Sequence, residues 1–319
     1  MTKFLQTSID GLAVGSLYAL IALGYTMVYG TLKFINFSHA SVFMLGAWFS
    51  LGVARLLGWG QAGAEVPIYA ALVVLLATMT ICGALGFAIE RLAYKPLRSA
   101  PRLNVLITAI GIAMLIDNTA ALEKKAEIAG YTIPIGFGTR PQRMPSLFQD
   151  KAVAEIAGVN IQFVDIVVVI SAVVLMAGLQ LLVFGTKLGA AMRAVSEDTR
   201  AAALMGIPVD RVISITFVVG TMLAAAAGFL FAAKYPGLNQ PAAANWALLG
   251  LKAFVAAVVG GIGNIRGAVV GGILIGMIEL FGAAYLFTQL RDVYVFVILI
   301  AVLLVRPTGL FPSGAVNKV

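Results

Sequence analysis

Nine apolar runs partition the chain, at about 7–30, 38–57, 67–90, 103–121, 161–185, 212–233, 247–263, 267–287 and 292–306. Most approach the roughly 20 residues that a membrane-spanning helix needs. They are continuous rather than alternating, which predicts helices and not the strands of a barrel. Between the fifth and sixth runs lies a long polar stretch, 186–211, TKLGAAMRAVSEDTRAAALMGIPVDR. Its alanines predict a short helix. Glu197 and Arg200 stand at i, i+3, close enough to pair. Gly206 followed by Ile207-Pro208 predicts the end of that helix, because glycine tolerates the left-handed region and proline cannot continue the ladder.

Composition sharpens the class. The 319 residues are 61% hydrophobic and 11% charged, with mean hydropathy +0.99, whereas a soluble domain carries about a quarter charged residues. The chain is predicted to be an all-α polytopic membrane protein, a single domain over 1–319 with eight or nine crossings and one or more broken or re-entrant segments. Its 34 glycines suit close helix packing in lipid. The net charge of +8 reads as loop charge on the cytoplasmic side and not as a nucleic-acid footprint. Cys82 is the one cysteine, which excludes an internal disulfide and a thiolate metal cluster and predicts a packing role. The start MTKFLQTSIDG lacks the pattern of a cleaved signal peptide.

Lysine and arginine set the orientation. Arg91, Lys95, Arg98 and Arg102 fall in RLAYKPLRSAPR, which has no acid and is therefore expected in the cytoplasm. Counting onward places 122–160 outside, 186–211 inside and 234–246 outside. Counting backward puts the N-terminus outside if every run crosses fully. The first two runs are separated only by TLKFINFSHAS, and one of them can be broken, so the N-terminal side stays open. The long loop 122–160 has room for a hairpin or a short amphipathic element. Trp48, Trp59, Trp246, Tyr69 and Tyr285 fall near predicted helix ends, as aromatic belts do. Glu90-Arg91 reads as an interfacial anchor.

Three stretches have polar residues where lipid-embedded helices rarely carry them. In GYTMVYGTLKFINFSHASVFMLGAW, Tyr25, Thr26, Tyr29, Asn36, Ser38, His39 and Ser41 cluster, and Asn36 or Ser38 can cap a second helix after a break. Broken helices expose backbone groups that transporters use to hold ligands. His39 is the only histidine, with nothing nearby to complete a triad or a metal site. In AAVVGGIGNIRGAVVGGILIG the glycines fit no nucleotide-binding pattern. They suit a tight re-entry from Gly260 to Gly267 with Asn264 at the turn, followed by a small-residue face of Gly267, Gly271 and Gly276. Lys252 and Glu279 are intramembrane charges. They stand at comparable distance from that turn and are expected either to pair across a helical hairpin or to separate, with Lys252 snorkelling to the interface.

RAVSEDTRAAALMGIPVDRV, with ITFVVG after it, resembles the cytoplasmic coupling segment of the permease subunits of branched-chain amino acid ABC importers (LivH-type). The resemblance extends over most of the chain. INFSHA is similar to the family's INF-A/S-H-G motif, departing from it at Ala40, and GGIGNIRGA is similar to its GGIG-[SN]-I-x-GA segment. EKKAEIAGYTIPIG looks like an insertion into a connection that the family usually keeps shorter. The resemblance implies that Arg193, Glu197, Asp198, Arg200, Ala203 and Gly206 couple to an ATPase. It implies that Tyr25, Thr26, Tyr29, Asn36, Phe37, Ser38, His39, Gly260, Gly261 and Asn264 lie along the substrate path. Two ATP-binding subunits, a homologous second permease chain and an extracytoplasmic substrate-binding protein are the implied partners, in a bacterial inner membrane. This chain would bind no ATP, cofactor or metal and catalyse no bond chemistry. Related permeases carry urea, amides or other small solutes. A stand-alone secondary transporter is the rival of another class, with Glu279 as its one serious ion-coupling candidate.

Overall fold

The computed structural model describes residues 1–59, 66–67, 69–98, 100–128, 131–148, 152–156 and 158–311. Among them the apolar runs become helices: α1 (Thr2–Leu32), α2 (His39–Leu56), α3 (Ala70–Ile89), α4 (Arg102–Ala120), α5 (Phe163–Gly185), α8 (Val209–Lys234), α9 (Ala244–Gly260), α10 (Ile265–Tyr285) and α11 (Arg291–Val305), while α6 (Lys187–Glu197) and α7 (Thr199–Leu204) lie between α5 and α8. Among the described residues eight helical segments are long and apolar enough to cross a membrane, the last of them, Thr288–Val305, being a 3-10 turn that runs into α11, and α9 is shorter. α1 begins five residues before the apolar run that announced it, because Thr2–Gln6 continues the same ladder.

α1 is the centre of the bundle. The membrane-length window within it is 94% buried, against 6% for Thr288–Val305, so α11 lies at the edge of the bundle and packs through part-buried residues such as Phe296 and Leu299. α1 packs along α10, α8 and α9. The contact with α10 is close because both helices offer small residues: a Cβ at Gly276 would lie 2.4 Å from the Gly15 backbone, and one at Gly272 would lie 2.4 Å from the Ala19 nitrogen. In lipid, where burial of apolar surface drives little helix association, such approach is what holds helices together. The expected small-residue face of α10 therefore splits in two. Gly267 and Gly271 meet α9, whereas Gly272 and Gly276 meet α1.

The helix ends gather at two poles. At one, the Asn160 backbone N–H donates to the Gln6 side chain at 3.0 Å, and Lys3 Nζ donates to the Ala284 carbonyl at 2.5 Å. The N-terminus, the 122–162 connection and the 286–290 turn thus share one pole. At the other, Lys95 pairs with Asp210 at 2.7 Å, which brings the basic connection after α3 to the end of the 186–211 stretch.

The 122–162 connection folds mostly as strands. β1 (Lys124–Ile128) pairs antiparallel with β2 (Tyr131–Ile135), β3 (Gln142–Arg143) with β6 (Gly237–Leu238), and β4 (Ala152–Ile156) with β5 (Val159–Gln162). Phe137 anchors the connection to α2, its ring 5.2 Å from that of Trp48 and 5.6 Å from that of Phe49. Trp48 and Trp246 are accordingly buried and do not form part of an aromatic belt. Tyr69 and Tyr285 are exposed, as belt positions require.

Candidate functional site

α1 ends at Leu32 with Lys33 in the left-handed region at φ 55°, and α2 starts at His39. Lys33 is the one non-glycine residue with positive φ among those described, a conformation that breaks a helix sharply. The intervening turn lies within the bundle: Asn36, Ser38 and His39 are all buried. Asn36 Oδ1 fixes it, accepting from the Ser38 backbone N–H at 3.1 Å, the Ser38 hydroxyl at 2.6 Å and the Tyr94 hydroxyl at 2.6 Å. α2 has no side-chain cap at its N-cap residue Ser38; instead three donors on the Asn36 oxygen hold the loop that enters α2. The Tyr25 and His39 rings lie 4.6 Å apart between centroids, tilted by 59°, and the Phe254 ring lies 5.8 Å from that of Tyr25 and 6.4 Å from that of Phe37. Tyr29 is half-buried one turn further on. The Thr26 hydroxyl is buried with no hydrogen-bond partner among the described residues. Ala40, where the resemblance leads one to expect glycine, fits because Gly250 faces it: a Cβ on Gly250 would lie 2.2 Å from the Ala40 methyl.

The second stretch makes the predicted re-entry between α9 and α10. Gly261 (φ 108°) and Gly263 (φ 92°) turn the chain. Asn264 caps α10, its side-chain oxygen accepting from the N–H groups of Arg266 at 3.0 Å and Gly267 at 3.2 Å. The tail covers this turn. Leu310 N–H donates to the Val259 carbonyl at 2.9 Å, Phe311 N–H to the Gly260 carbonyl at 3.0 Å, and Asn264 Nδ2 to the Phe311 carbonyl at 3.1 Å. Gly260, Gly261 and Asn264 are thereby brought together with residue 311.

Lys252 and Glu279 pair, at 2.9 Å, and both are buried. The Tyr18 hydroxyl donates to the other Glu279 oxygen at 2.7 Å, Arg291 also pairs with Glu279, and Asp292 with Lys252. Two acids and two bases therefore neutralise one another at the start of α11, as buried charges require.

The polar stretch 186–211 is two helices, not one. Asp198 adopts an extended backbone (φ −147°), and its carboxylate caps α7 by accepting from the N–H groups of Arg200 at 2.8 Å and Ala201 at 3.0 Å. The aspartate competes for backbone donors and so starts a new helix where the alanines alone would have continued the old one. No Glu197–Arg200 ion pair occurs among the described residues. Gly206 ends α7 as expected: at φ 80° it lets Ile207 N–H reach the Ala202 carbonyl at 3.1 Å, the bond of a Schellman motif. Arg193 does not point away from the bundle. It donates to the Val183 carbonyl, and its guanidinium lies 5.3 Å from the Phe184 ring centroid, which fastens α6 to the end of α5. Glu197, Arg200 and Ala203 are exposed, and Leu204 and Met205 are 88% and 82% exposed.

One cluster was not foreseen. Past α3 the chain continues as a π-helical turn, Glu90–Tyr94. Glu90 is fully buried, correcting its reading as an interfacial anchor, and binds Arg98 and the Ser214 hydroxyl, the latter at 2.6 Å. Arg98 and Lys95 both pair with Asp210. The signal available in the sequence was a glutamate at the end of an apolar run with basic residues five and eight positions later.

Residues 8–303 match the family described as branched-chain amino acid transport system / permease component. The chain belongs to this family. It is 40% identical to the high-affinity branched-chain amino acid transport system permease protein LivH of Escherichia coli K12, over 99% of this chain and 98% of that one. It is 39% identical to the corresponding protein BraD of Pseudomonas aeruginosa, with the same coverage. Identity to a probable LivH of Methanocaldococcus jannaschii is 30%, over 92% of this chain and 88% of that one. No solved structure matches. A branched-chain amino acid transport permease of this kind is a multi-pass protein of the bacterial inner membrane, and its relatives are transport proteins, not enzymes.

Proposed function

We propose that this chain is the permease subunit of an ATP-driven importer for branched-chain or similar hydrophobic amino acids, and that it forms half of the translocation path. The observation that carries the coupling half of this reading is the α6–α7 knob, with Leu204 and Met205 exposed at its tip beside Arg200 and Ala203. Two large apolar side chains held out on a polar connection suit a groove on another protein. The basic residues at the same pole, Arg91, Lys95 and Arg98, put that pole in the cytoplasm. Two ATP-binding subunits engage the knob there. A substrate-binding protein docks on the opposite pole, over 122–160 and 234–246, and a second, homologous permease chain completes the path beside the Asn36 turn. The amino-acid substrate is the reading favoured by the relatives' names; urea and amides remain alternatives for the assay. In the secondary-transporter reading Glu279 would carry the coupling, and its carboxylate is occupied by Lys252, Arg291 and the Tyr18 hydroxyl.

Reconstituted proteoliposomes test the proposal. Uptake of leucine, isoleucine or valine is expected only with the ATP-binding subunits, ATP and the loaded binding protein all present. Met205→Asp is expected to abolish co-purification of the ATP-binding subunits while leaving the permease folded. Uptake driven by an ion gradient alone would refute the reading.

A further inference from the structure

The π-helical turn after α3 touches two things at once. On one side its Glu90 binds Arg98 and Ser214, and Arg98 with Lys95 holds Asp210. Asp210 is the second residue of α8, two positions past Pro208, where the knob's chain re-enters the bundle. On the other side Tyr94 reaches the turn that separates α1 from α2: its hydroxyl donates to Asn36 Oδ1 at 2.6 Å and lies 3.2 Å from the Ser38 hydroxyl. The Tyr94 ring is clamped between Phe34 and Phe217, at 5.3 Å from each. Glu90 and Tyr94 are 0% and 1% exposed, so neither interaction is exchanged readily for water. A π-turn carries an extra residue in the ladder and occurs frequently at functional sites.

We infer that Glu90 and Tyr94 are positioning residues for transport: through them the π-turn ties the root of the cytoplasmic knob to the Asn36 turn at the mouth of α2. The inference rests on the ATP-driven reading above and adds a route to it. A displacement of the α7–α8 junction moves Asp210, Arg98 follows its carboxylate, and Glu90 moves with Arg98. Tyr94, one turn along the same short element, then pulls on the oxygen that holds Ser38 and the start of α2. The distances require no intermediate beyond these side chains. The connection is carried by hydrogen bonds to one carboxylate and one amide oxygen, so it can be cut at either end without removing bulk from the core.

Tyr94→Phe keeps the ring and deletes the hydroxyl. Glu90→Gln keeps the shape and the capacity to accept from Ser214, and removes the charge that holds Arg98. In proteoliposomes with all subunits, each variant is expected to keep ATP hydrolysis within about twofold of the parent while uptake per ATP falls about tenfold, the scale of one buried hydrogen bond. The double variant is expected to fall no further than the worse single one, because both cuts sever one route. Purified yield and thermal midpoint establish that each variant assembles. Unchanged uptake per ATP in both variants would overturn the inference. So would a parallel fall of hydrolysis and uptake, which marks general structural damage, or multiplicative losses in the double variant, which mark two separate roles. A parent protein that transports without ATP would remove the functional reading itself, whereas a coupled parent with equally coupled variants removes this route alone.

Discussion

Gly250 lacks a side chain at the place where Ala40 has one. The two residues lie on different helices, and their complementarity decides how closely α9 approaches the start of α2. Gly250→Ala would bring two methyl groups to 2.2 Å, and overpacking of this kind costs about 1–3 kcal/mol. Ala40→Gly in the same chain is expected to recover most of the loss, measured as the thermal midpoint of the purified protein. The Lys252–Glu279 group makes a second residue-scale prediction. Glu279→Gln leaves Arg291 and the Tyr18 hydroxyl directed at a neutral amide and Lys252 to the half-exposed Asp292, and is expected to destabilise by about 3 kcal/mol. Lys252→Met is expected to cost less, since Glu279 keeps Arg291 and Tyr18. Equal losses from the two variants in a denaturation series would contradict this ranking. The matching depth was legible in the sequence, because the two charges stand at matching distance from a glycine turn; the pairing was one of two readings, and the structure shows it. Tyr18 and Arg291 were not legible, since nothing local distinguishes a tyrosine that reaches a carboxylate 261 residues away from one that faces lipid.

At the scale of elements, the apolar runs located the helices because in lipid each one must satisfy its own backbone. Ends set by glycine, Gly206 and Gly261 among them, were equally readable, since they depend on a single residue's allowed φ. What misled was the alanine-rich stretch around Asp198, where high helix propensity hid a capping side chain that divides α6 from α7. Asp198→Ala removes that cap and is expected to cost about 1 kcal/mol locally. It should lower binding of the ATP-binding subunits several-fold with no change in the permease's own thermal midpoint, as read by co-purification against denaturation. The π-turn was illegible for a different reason: Glu90-Arg91 reads locally as the charged end of an apolar run, and the partners that hold the turn and the basic residues after it, Ser214 and Asp210, come from α8, more than a hundred positions later. The strands of the 122–162 connection were foreseen only as one hairpin or amphipathic element; two local hairpins and a pairing with Gly237–Leu238 emerged.

For the whole molecule, the decisive geometry is the sharing of one pole by Lys3, Ala284 and Asn160. Because the N-terminus shares a pole with the 122–162 connection, the basic residues that predict 122–160 outside predict the N-terminus outside as well. The native cysteine helps test this, because Cys82 is buried with 0% exposure and should stay silent. Lys3→Cys is expected to react with a membrane-impermeant maleimide in intact cells, and Met205→Cys only after permeabilisation. The reverse pattern would invert the topology and place the exposed knob on the wrong side for an ATP-binding partner.

The bonds from Leu310 and Phe311 to Val259 and Gly260 also bear on how the protein is made. Synthesis runs from the N-terminus, so α9 and α10 enter the membrane before the segment that seals their turn exists. The carbonyls of Val259 and Gly260 must find temporary partners, water or the insertion machinery, until residue 311 emerges. A stop codon placed before residue 309 would leave that seam permanently open, and newly made chains lacking it should be cleared by membrane proteases faster than they accumulate.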